Sequence, residues 1–466
     1  MFDEFINDKK DEMIENLQKL IQIPSVYEEC KNPKMPFGEN ANKALEYMLE
    51  LGKKLGFRTK NIDGYCGYIE FGEGEGLLGI IGHLDVVPAG EGWANPPFSG
   101  TIVDNKIYGR GAIDDKGPVM ASLYAMKAVK DTCKVNKRVR LILGLNEEND
   151  WKCIEYYKKH EEIPTIGFSP DADFPCIYAE KSILTAAISM PYNLESNKNI
   201  IITNIDFNNN PNNVVPKKCI VRIKINREKI NINNLIEELN EIIGKYEFNI
   251  EVNSNSDTIE IISNGIESHA AHPDLGVNAI SRLMIVLDEI YKKYEEENEL
   301  LEFFTKYIGL DYNGNILKIN NEDETGNLTL NVGRFILENG MLSINMNLRI
   351  PVRTKIEDVE EQFKNIIANN YKTLKYKRID IENSLYVDKD SYLVKTLCKI
   401  FNEENKTNLE PIAIGGATYA RAFKNCISFG ANMPGAKDMC HQTNEFISID
   451  NLLFAAKVYA KAIYEL

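Results

Sequence analysis

The sequence predicts an α/β fold with a mixed, largely parallel sheet, interrupted by an inserted α+β domain. Two observations predict this fold class. Short apolar strands at 77–81 and 139–143 enclose a helical stretch at 118–129, and this strand–helix–strand order is typical of a parallel sheet. From about residue 182 the pattern becomes that of antiparallel strands mixed with helices, and the first pattern returns after residue 384.

The spacing of apolar residues predicts the helices and strands in order along the chain. An amphipathic helix is predicted over 2–21 and another over 41–55, which ends at Gly56 because glycine is favoured just after a helix. The other predicted elements are the strands 68–71, 220–225, 259–262, 328–332 and 342–348, the helices 279–294, 359–367, 392–401 and 452–464, and an asparagine-rich loop over 196–213. The first domain is therefore expected in two parts, 1–181 and 385–466, around an insertion at 182–384.

The composition is that of a globular protein with an acidic surface. Its 466 residues are 44% apolar and 26% charged, and the formal net charge is −15. Such a charge disfavours nucleic acid and anionic membranes, which bind clusters of Lys and Arg. No apolar stretch approaches the roughly 20 residues of a membrane helix. The acidic N-terminus and nine scattered cysteines without a C-x-x-C pair favour a reduced, cytoplasmic protein.

One of the five histidines directly follows a predicted strand. His83 stands in Gly82-His83-Leu84-Asp85, after the strand 77–81. Sites in open α/β sheets gather at the carboxyl ends of strands, and an Asp two residues on is suited to orient a metal-binding imidazole. Taken alone the pattern is weak, and a hydrogen-bonded histidine at a strand end is the stronger interpretation.

Paired carboxylates stand at two further places. Asp114-Asp115 precede the helix at 118–129 and fit either helix capping or cation binding. Glu147-Glu148 follow the strand at 139–143, where one glutamate can bind a cation while its neighbour stays free as a general base. A solvated acidic loop is the alternative for the second pair.

Asp171 and His441 complete the set of candidate ligands. Asp171 follows another short apolar strand, and His441 lies shortly before the last predicted helix. Together the motifs supply two histidines and several carboxylates but no thiolate. Nitrogen and oxygen ligands at strand ends suit two divalent cations such as Zn²⁺, bridged by one carboxylate and one water.

The order of these motifs resembles the M20 family of dinuclear zinc amidohydrolases, and within it the PepV-type dipeptidase branch. The motifs are G-H-x-D, G-R-G-x-x-D-D-K-G, N-E-E, S-P-D-x-D-F-P and a late H-Q-x-N-E, which span nearly the whole chain. The resemblance implies a role for each candidate: His83 and Asp171 bind one metal, Glu148 and His441 bind the other, Asp114 bridges both, often through a cis peptide to Asp115, Asp85 orients His83, and Glu147 is the general base.

The resemblance also selects one histidine of the insertion. The stretch 265–269 is similar to a family motif that usually has Lys where this chain has Ile266. The match makes His269 the residue that reaches from a lid to the developing oxyanion. Without the match, His272 is an equal candidate.

Three further residues resemble family residues that contact substrate. They are Asn213, Arg349 and Gly415, the last in a glycine turn beside the substrate carboxylate. Asn213 also fits a simple turn residue, and Arg349 also fits a surface ion pair.

The resemblance implies a dipeptidase that acts on dipeptides with a free N-terminus. It implies two divalent metal ions, with Zn²⁺ expected first and Mn²⁺ or Co²⁺ as alternatives. A monomer is expected, because in the resembling branch the insertion does within one chain what a dimer does in shorter relatives. The alternatives are a deacylase of N-acylated amino acids, which uses the same metal core, and a non-catalytic binding protein on the same fold.

Overall fold

The structure is a computed structural model that describes residues 2–196, 198–255 and 258–466. The chain forms two compact units, the first made of Met1–Glu180 with Leu385–Leu466 and the second of Lys181–Ser384. The predicted limits, 181/182 and 384/385, lie within one residue of these joints. The assignment of independent domains stays a prediction.

Helices and strands alternate in the first part of the chain. In order they are α1 (Phe2–Asp8), α2 (Lys10–Ile21), α3 (Glu39–Lys54), β1 (Arg58–Ile62), β2 (Cys66–Gly72), β3 (Leu77–His83), β4 (Thr101–Val103), β5 (Lys106–Tyr108), α4 (Lys116–Thr132), β6 (Arg138–Gly144), α5 (Lys152–His160), β7 (Ile166–Ser169), β8 (Ala172–Asp173) and β9 (Ile177–Glu180). The single helix predicted over 2–21 is wrong in one respect, since Lys9 separates two helices.

The second unit contains longer strands. In order its elements are β10 (Ser182–Pro191), β11 (Ile200–Asp206), β12 (Val214–Val215), β13 (Lys218–Ile225), α6 (Ile232–Tyr246), β14 (Ile250–Asn255), β15 (Thr258–Asn264), β16 (Ser268–His269), α7 (Ala279–Lys293), α8 (Glu299–Tyr307), β17 (Glu322–Asp323), β18 (Gly326–Asn327), β19 (Thr329–Glu338), β20 (Met341–Ile350), α9 (Ile356–Asn370) and β21 (Lys375–Glu382), with a 3₁₀ turn at Pro273–Leu275. The loop predicted over 196–213 is wrong for β11, whose residues Ile200, Ile201 and Ile202 are buried in this unit's core. Residue 197 lies outside the described residues.

The last part of the chain returns to the first unit. Its elements are β22 (Leu385–Tyr386), α10 (Tyr392–Asn405), β23 (Ile412–Ile414), β24 (Cys426–Ser428), β25 (Ala431–Asn432), β26 (Phe446–Ser448) and α11 (Ile449–Glu465), with a 3₁₀ turn at Tyr419–Ala422.

The main sheet of the first unit is mixed, as predicted. Its strand order is β1-β2-β6-β3-β7-β24-β9-β22, and β23 also pairs with β9. Strand β3 runs parallel to β6 and β7, and β7 runs parallel to β24, whereas β1, β2 and β22 pair antiparallel. Helix α4 packs against α2, α11 and β3, and all but a few of its side chains are buried.

The parallel pairing decides where the polar motifs meet. His83 at the end of β3 lies opposite Gly144 at the end of β6, and β7 ends at Ser169 beside them. The carboxyl ends of the three strands therefore meet at one edge, where sites of α/β sheets gather. The loops that follow carry Asp85, the Glu147-Glu148 pair and Asp171.

Antiparallel sheets form the second unit. One has the order β19-β20-β10-β21 and another β11-β13-β15-β14. Their inner faces and the buried faces of α6, α7, α8 and α9 share one hydrophobic core. Within the described ranges, none of the helices combines the length and the apolarity needed to cross a membrane.

Candidate metal centre

Five side chains of the first unit form two groups that share Asp114. In the first group, His83 Nε2 lies 3.1 Å from Asp114 Oδ1 and 3.4 Å from Asp171 Oδ2. In the second, His441 Nε2 lies 3.1 Å from Asp114 Oδ2 and 3.1 Å from Glu148 Oε2. The candidate ligand atoms of each group lie within 4.8 Å of one another. The two oxygens of one carboxylate thus face two different histidines.

The imidazole of His83 is held by the residue predicted to orient it, but through a different atom. Its Nδ1 donates to the main-chain oxygen of Asp85 at 2.9 Å, while the Asp85 carboxylate lies farther away, at 3.6 Å. The other carboxylate oxygen of Asp85 accepts from the main-chain N–H of Glu148 at 3.0 Å. This arrangement occupies Nδ1 and leaves Nε2 as the ring nitrogen that faces Asp114. Asp85 also ties the loop after β3 to the loop after β6.

The adjacent aspartates face different partners. Asp115 Oδ2 accepts the main-chain N–H of His83 at 3.1 Å, and the peptide between Asp114 and Asp115 is cis. A Cβ atom at Gly82 would lie 2.4 Å from that carboxylate oxygen, so only glycine fits there. Asp115 stands at the N-terminus of α4 but makes no side-chain capping hydrogen bond. The helix-capping alternative is therefore wrong for this residue.

The register of a small sheet brings His441 to the site. Strand β26 pairs antiparallel with β5, with Phe446 opposite Tyr108. The segment before β26 therefore runs beside the segment after β5, which carries Asp114. His441 has a φ of 62°, in the left-handed region, and half of its side chain is exposed.

The cluster concentrates negative charge in a buried place. Burial raises the pKa of Asp114, but hydrogen bonds from His441 and His83 outweigh it and leave that pKa below its usual value. Hydrogen bonds to Asp114 and Glu148 raise the pKa of His441 to about 11. Burial, and then repulsion from Asp114, raises the pKa of both Glu148 and Asp171. The carboxylates stabilise positive charge that lies between them. Their oxygens and the nitrogens of the two imidazoles together form a donor set that fits divalent cations.

Glu147 belongs to neither group of ligands. It precedes Glu148 in the loop after β6, and its carboxyl group lies close enough to interact electrostatically with His83 and Asp171. Burial is the main reason why the pKa of Glu147 is raised, and the neighbouring carboxylates add to it. A carboxyl group beside the ligands but outside both groups is suited to proton transfer.

Sequence reasoning missed a buried ion pair behind the ligands. Glu445 Oε2 accepts from Arg110 at 2.7 Å, and both side chains are almost fully buried. Glu445 Oε1 accepts the main-chain N–H groups of Ile113 at 3.0 Å and Asp114 at 3.3 Å. Both residues stand in recognised motifs, G-R-G and H-Q-x-N-E, but spacing alone gave no reason to pair them.

The predicted glycine turn is supported by a second buried carboxylate. Gly415 and Gly416 follow β23, and the main-chain oxygen of Gly416 accepts from Arg421 at 2.7 Å. Arg421 Nε donates to Glu180 at 2.8 Å, and the Thr418 hydroxyl donates to the same carboxylate at 2.7 Å. The contact of Gly415 with substrate stays a prediction.

The other predicted substrate residues belong to the second unit. His269 and Asn213 are neighbours there, since β16 pairs with β12 and the Asn213 main-chain oxygen accepts from Ala270 at 2.8 Å. Arg349 is buried on β20 and donates to Asn347 at 3.0 Å, so the surface ion-pair alternative is wrong. The roles of these three side chains in the reaction stay predictions.

Two histidines lie apart from these groups. His272 is exposed just before the 3₁₀ turn of the second unit. His160 is exposed at the end of α5, where its ring stacks on Tyr156 with 3.9 Å between ring centroids. His160 therefore lies on a solvated helix face.

Comparison with known proteins identifies the family. The sequence model of peptidase family M20/M25/M40 matches residues 79–465. The chain belongs to this family. A relative in Bacillus subtilis (strain 168), described as "Putative dipeptidase YtjP", is 39% identical over 468 residues, which cover 98% of this chain and 98% of the relative.

Solved structures of peptidases share the fold at low sequence identity. Human carnosine dipeptidase 1 matches with a TM-score of 0.61 and 16% identity over 100% of this chain and 98% of that one. The M20 family metallo-carboxypeptidase Sso-CP2 from Sulfolobus solfataricus matches with a TM-score of 0.57 and 20% identity over 97% of this chain and 98% of that one. The predicted family and fold class are confirmed. As an M20 peptidase, the protein is a peptide-bond hydrolase.

Proposed function

We propose that the protein is a metal-dependent dipeptidase that cleaves dipeptides with a free N-terminus. The observation that carries the proposal is the sharing of Asp114 between two groups of ligand atoms, one with His83 and Asp171 and the other with Glu148 and His441. These residues would hold two divalent cations, Zn²⁺ first and Mn²⁺ or Co²⁺ as alternatives. The name of the Bacillus subtilis relative supports dipeptides as the substrate class.

The chemistry divides between the cations and the chain's own residues. Two divalent cations, when bound, supply a Lewis acid for the peptide carbonyl and make water acidic enough to lose a proton near neutral pH. Asp85 holds His83 so that Nε2 faces the site. The Glu147 carboxylate takes the proton from the attacking water and hands it to the nitrogen of the leaving amine. Its place outside both ligand groups supports this role, since a ligand oxygen would be a weaker base.

Four residues would bind the substrate. His269 would donate a hydrogen bond to the developing oxyanion, a contribution of roughly 3–4 kcal/mol in comparable sites. The guanidinium of Arg349 and the main chain at Gly415 would bind the C-terminal carboxylate, which a guanidinium can do with two parallel hydrogen bonds. Asn213, which lies beside His269, would also contact the substrate. Family resemblance supports these four roles.

The proposal extends to the cellular setting. We propose a cytoplasmic monomer, and the net charge of −15 disfavours nucleic acid and anionic membranes as partners. All nine cysteines lie among the described residues, and no two of them form a disulfide. Reduced thiols are typical of cytoplasmic proteins.

The test is the substitution Glu147→Ala, with Glu155→Ala on the exposed face of α5 as the matched control. We expect Glu147→Ala to retain two equivalents of metal and to lose at least 10²-fold in kcat on Ala-Ala, in line with the 10²–10⁴-fold typical of general bases. Glu155→Ala should behave as the unmodified protein. An unchanged rate for Glu147→Ala would refute the assigned base.

Two further measurements separate the alternatives. Removal of metal with EDTA should abolish hydrolysis of Ala-Ala, and Zn²⁺, Mn²⁺ or Co²⁺ should restore it. Purified protein that binds no divalent cation under any condition would refute the metal-dependent mechanism. N-acetylated Ala-Ala should be cleaved far more slowly than Ala-Ala, and the reverse order would identify a deacylase.

A further inference from the structure

We propose that the buried pair of Arg110 and Glu445 positions the shared carboxylate of Asp114 and couples the two cation sites to each other. The inference rests on the proposed function, because it concerns the cations which that function requires. It assigns a role to two residues that belong to neither ligand group. Both are positioning residues, since they contact main-chain groups of the segments that carry the ligands.

Glu445 fixes the main chain that carries Asp114. Its Oε1 accepts the N–H groups of Ile113 and of Asp114 itself, at 3.0 and 3.3 Å. Its own main-chain oxygen accepts the N–H of Gly109 at 3.0 Å. The segment from Gly109 to Asp114 is therefore held at both ends by one residue. Asp114 lies between the two histidines, so a displacement of this segment would change both sites at once.

Arg110 fixes the segment that carries the second histidine. Its guanidinium donates to the main-chain oxygen of His441 at 3.2 Å and to that of Gln442 at 3.3 Å. It also donates at 3.4 Å to the main-chain oxygens of Pro88 and Ala89, in the loop that follows His83 and Asp85. One planar side chain thus contacts the segment of each histidine. Lys could not replace it, because Lys lacks the forked geometry of these donors.

Every hydrogen-bond partner of the Glu445 carboxylate among the described residues is a donor, so the ionised form, which only accepts, fits this position. One oxygen faces two main-chain N–H groups and the other faces Arg110. Gln has the same shape, but its NH₂ group would replace one of these acceptors and would point at a donor. Glu445→Gln therefore perturbs the position of Asp114 without removing volume.

A second buried ion pair in the same unit provides the control. Arg140 donates to Glu70 at 2.7 Å from Nε and at 2.6 Å from a terminal nitrogen, and both side chains are almost fully buried. This pair links β2 to β6, and neither residue is a candidate ligand. Glu70→Gln therefore removes a buried charge of the same kind away from the ligand segments.

The experiment compares the unmodified protein, Glu445→Gln and Glu70→Gln, each loaded with Zn²⁺ and then titrated with a chelator while bound Zn²⁺ is measured. We expect Glu445→Gln to lower the affinity for both cations by about 10–100-fold, the range found when residues that support metal ligands are replaced. Glu70→Gln should hold both cations as the unmodified protein does. The Co²⁺-loaded proteins should show the same contrast in visible absorption, with a changed spectrum for Glu445→Gln alone. A loss of fold stability by itself would not change that spectrum.

Each other outcome has a definite meaning. Unchanged affinity and an unchanged Co²⁺ spectrum in Glu445→Gln would overturn the inference. A lower affinity for only one of the two cations would overturn the coupling between the sites. If Glu445→Gln does not fold, Arg110→Lys takes its place with the same expected results, and Arg140→Lys is its control. Failure of the unmodified protein to bind any cation would instead overturn the proposed function, which distinguishes the two failures.

Discussion

Replacement of Glu180 by Gln should destabilise the first unit, and when Arg421 is replaced by Met as well, the total loss should be smaller than the sum of the two single losses. The Glu180 carboxylate is fully buried and accepts from Arg421 Nε at 2.8 Å and from the hydroxyl groups of Thr418 and Ser428 at 2.7 and 3.2 Å. It also accepts the main-chain N–H of Thr418 at 3.2 Å. Gln keeps only one of the two acceptor oxygens and removes the charge that balances Arg421.

The magnitude follows from these contacts. Loss of two of the four hydrogen bonds, at about 1.5–3 kcal/mol each for charged groups, gives roughly 3–6 kcal/mol. An independent estimate of the same loss agrees, because removal of one member of a buried ion pair costs about 3–5 kcal/mol. We therefore expect about 3–5 kcal/mol for Glu180→Gln. At about 2 °C per kcal/mol for a unit of this size, the melting temperature should fall by roughly 6–10 °C.

The assay is a double-mutant cycle in denaturant. Glu180→Gln, Arg421→Met and the double variant are unfolded with excess chelator throughout, because bound cations would add stability of their own. The loss in the double variant should be smaller than the sum of the single losses by about 1–3 kcal/mol, as for other residues in direct contact. Agreement with the sum to within about 0.5 kcal/mol would refute the reasoning.

Two further predictions concern single substitutions. Gly82→Ala should lower the free energy of unfolding by about 1–3 kcal/mol, because its Cβ would lie 2.4 Å from the Asp115 carboxylate. The control Gly244→Ala, with open space around it, should stabilise α6 by about 0.5–1 kcal/mol. Equal denaturation midpoints for the two variants would contradict this prediction. Glu360→Gln should destabilise the protein at pH 7, because the hydrogen bond from Arg378 lowers the pKa of Glu360. This interaction contributes stability above the unfolded pKa of about 4.3, and the contribution is lost as the pH falls through the lower folded pKa. The difference between variant and unmodified protein should therefore shrink in unfolding curves measured at pH 3, and a difference that grows there would show the opposite linkage.

Much of the candidate site could be predicted because its residues follow apolar strands. His83 ends β3, and Glu148 and Asp171 lie in the loops that follow β6 and β7, so the prediction of a parallel sheet already placed them at one edge. His441 could not be placed in this way. It precedes the three-residue strand β26, whose pairing with β5 spans more than 330 positions, so no local pattern placed it at this edge. Family resemblance gave its role as a ligand.

The residues that support the ligands could not be predicted from spacing. Glu445 accepts main-chain N–H groups more than 330 positions earlier in the chain, and no local pattern records such a contact. The main-chain oxygen of Asp85, which holds His83, leaves no mark in the sequence either. In the second unit, β11 was missed because its flanking asparagines resemble a loop, while Ile200, Ile201 and Ile202 supply the burial that makes it a strand.

The order of the ligands along the chain has a consequence during protein synthesis. The residues of the first group, His83, Asp114 and Asp171, are translated before the insertion, whereas His441 follows Asp171 by 441 − 171 = 270 positions. At about 5–20 residues per second, a ribosome needs roughly 14–54 s to cover that distance. During this interval the nascent chain carries all three ligands of the first group and two of the three ligands of the second, Asp114 and Glu148, and Asp114 still lacks Glu445. A peptidase built in this order becomes competent to cut peptides only after its own insertion has been made.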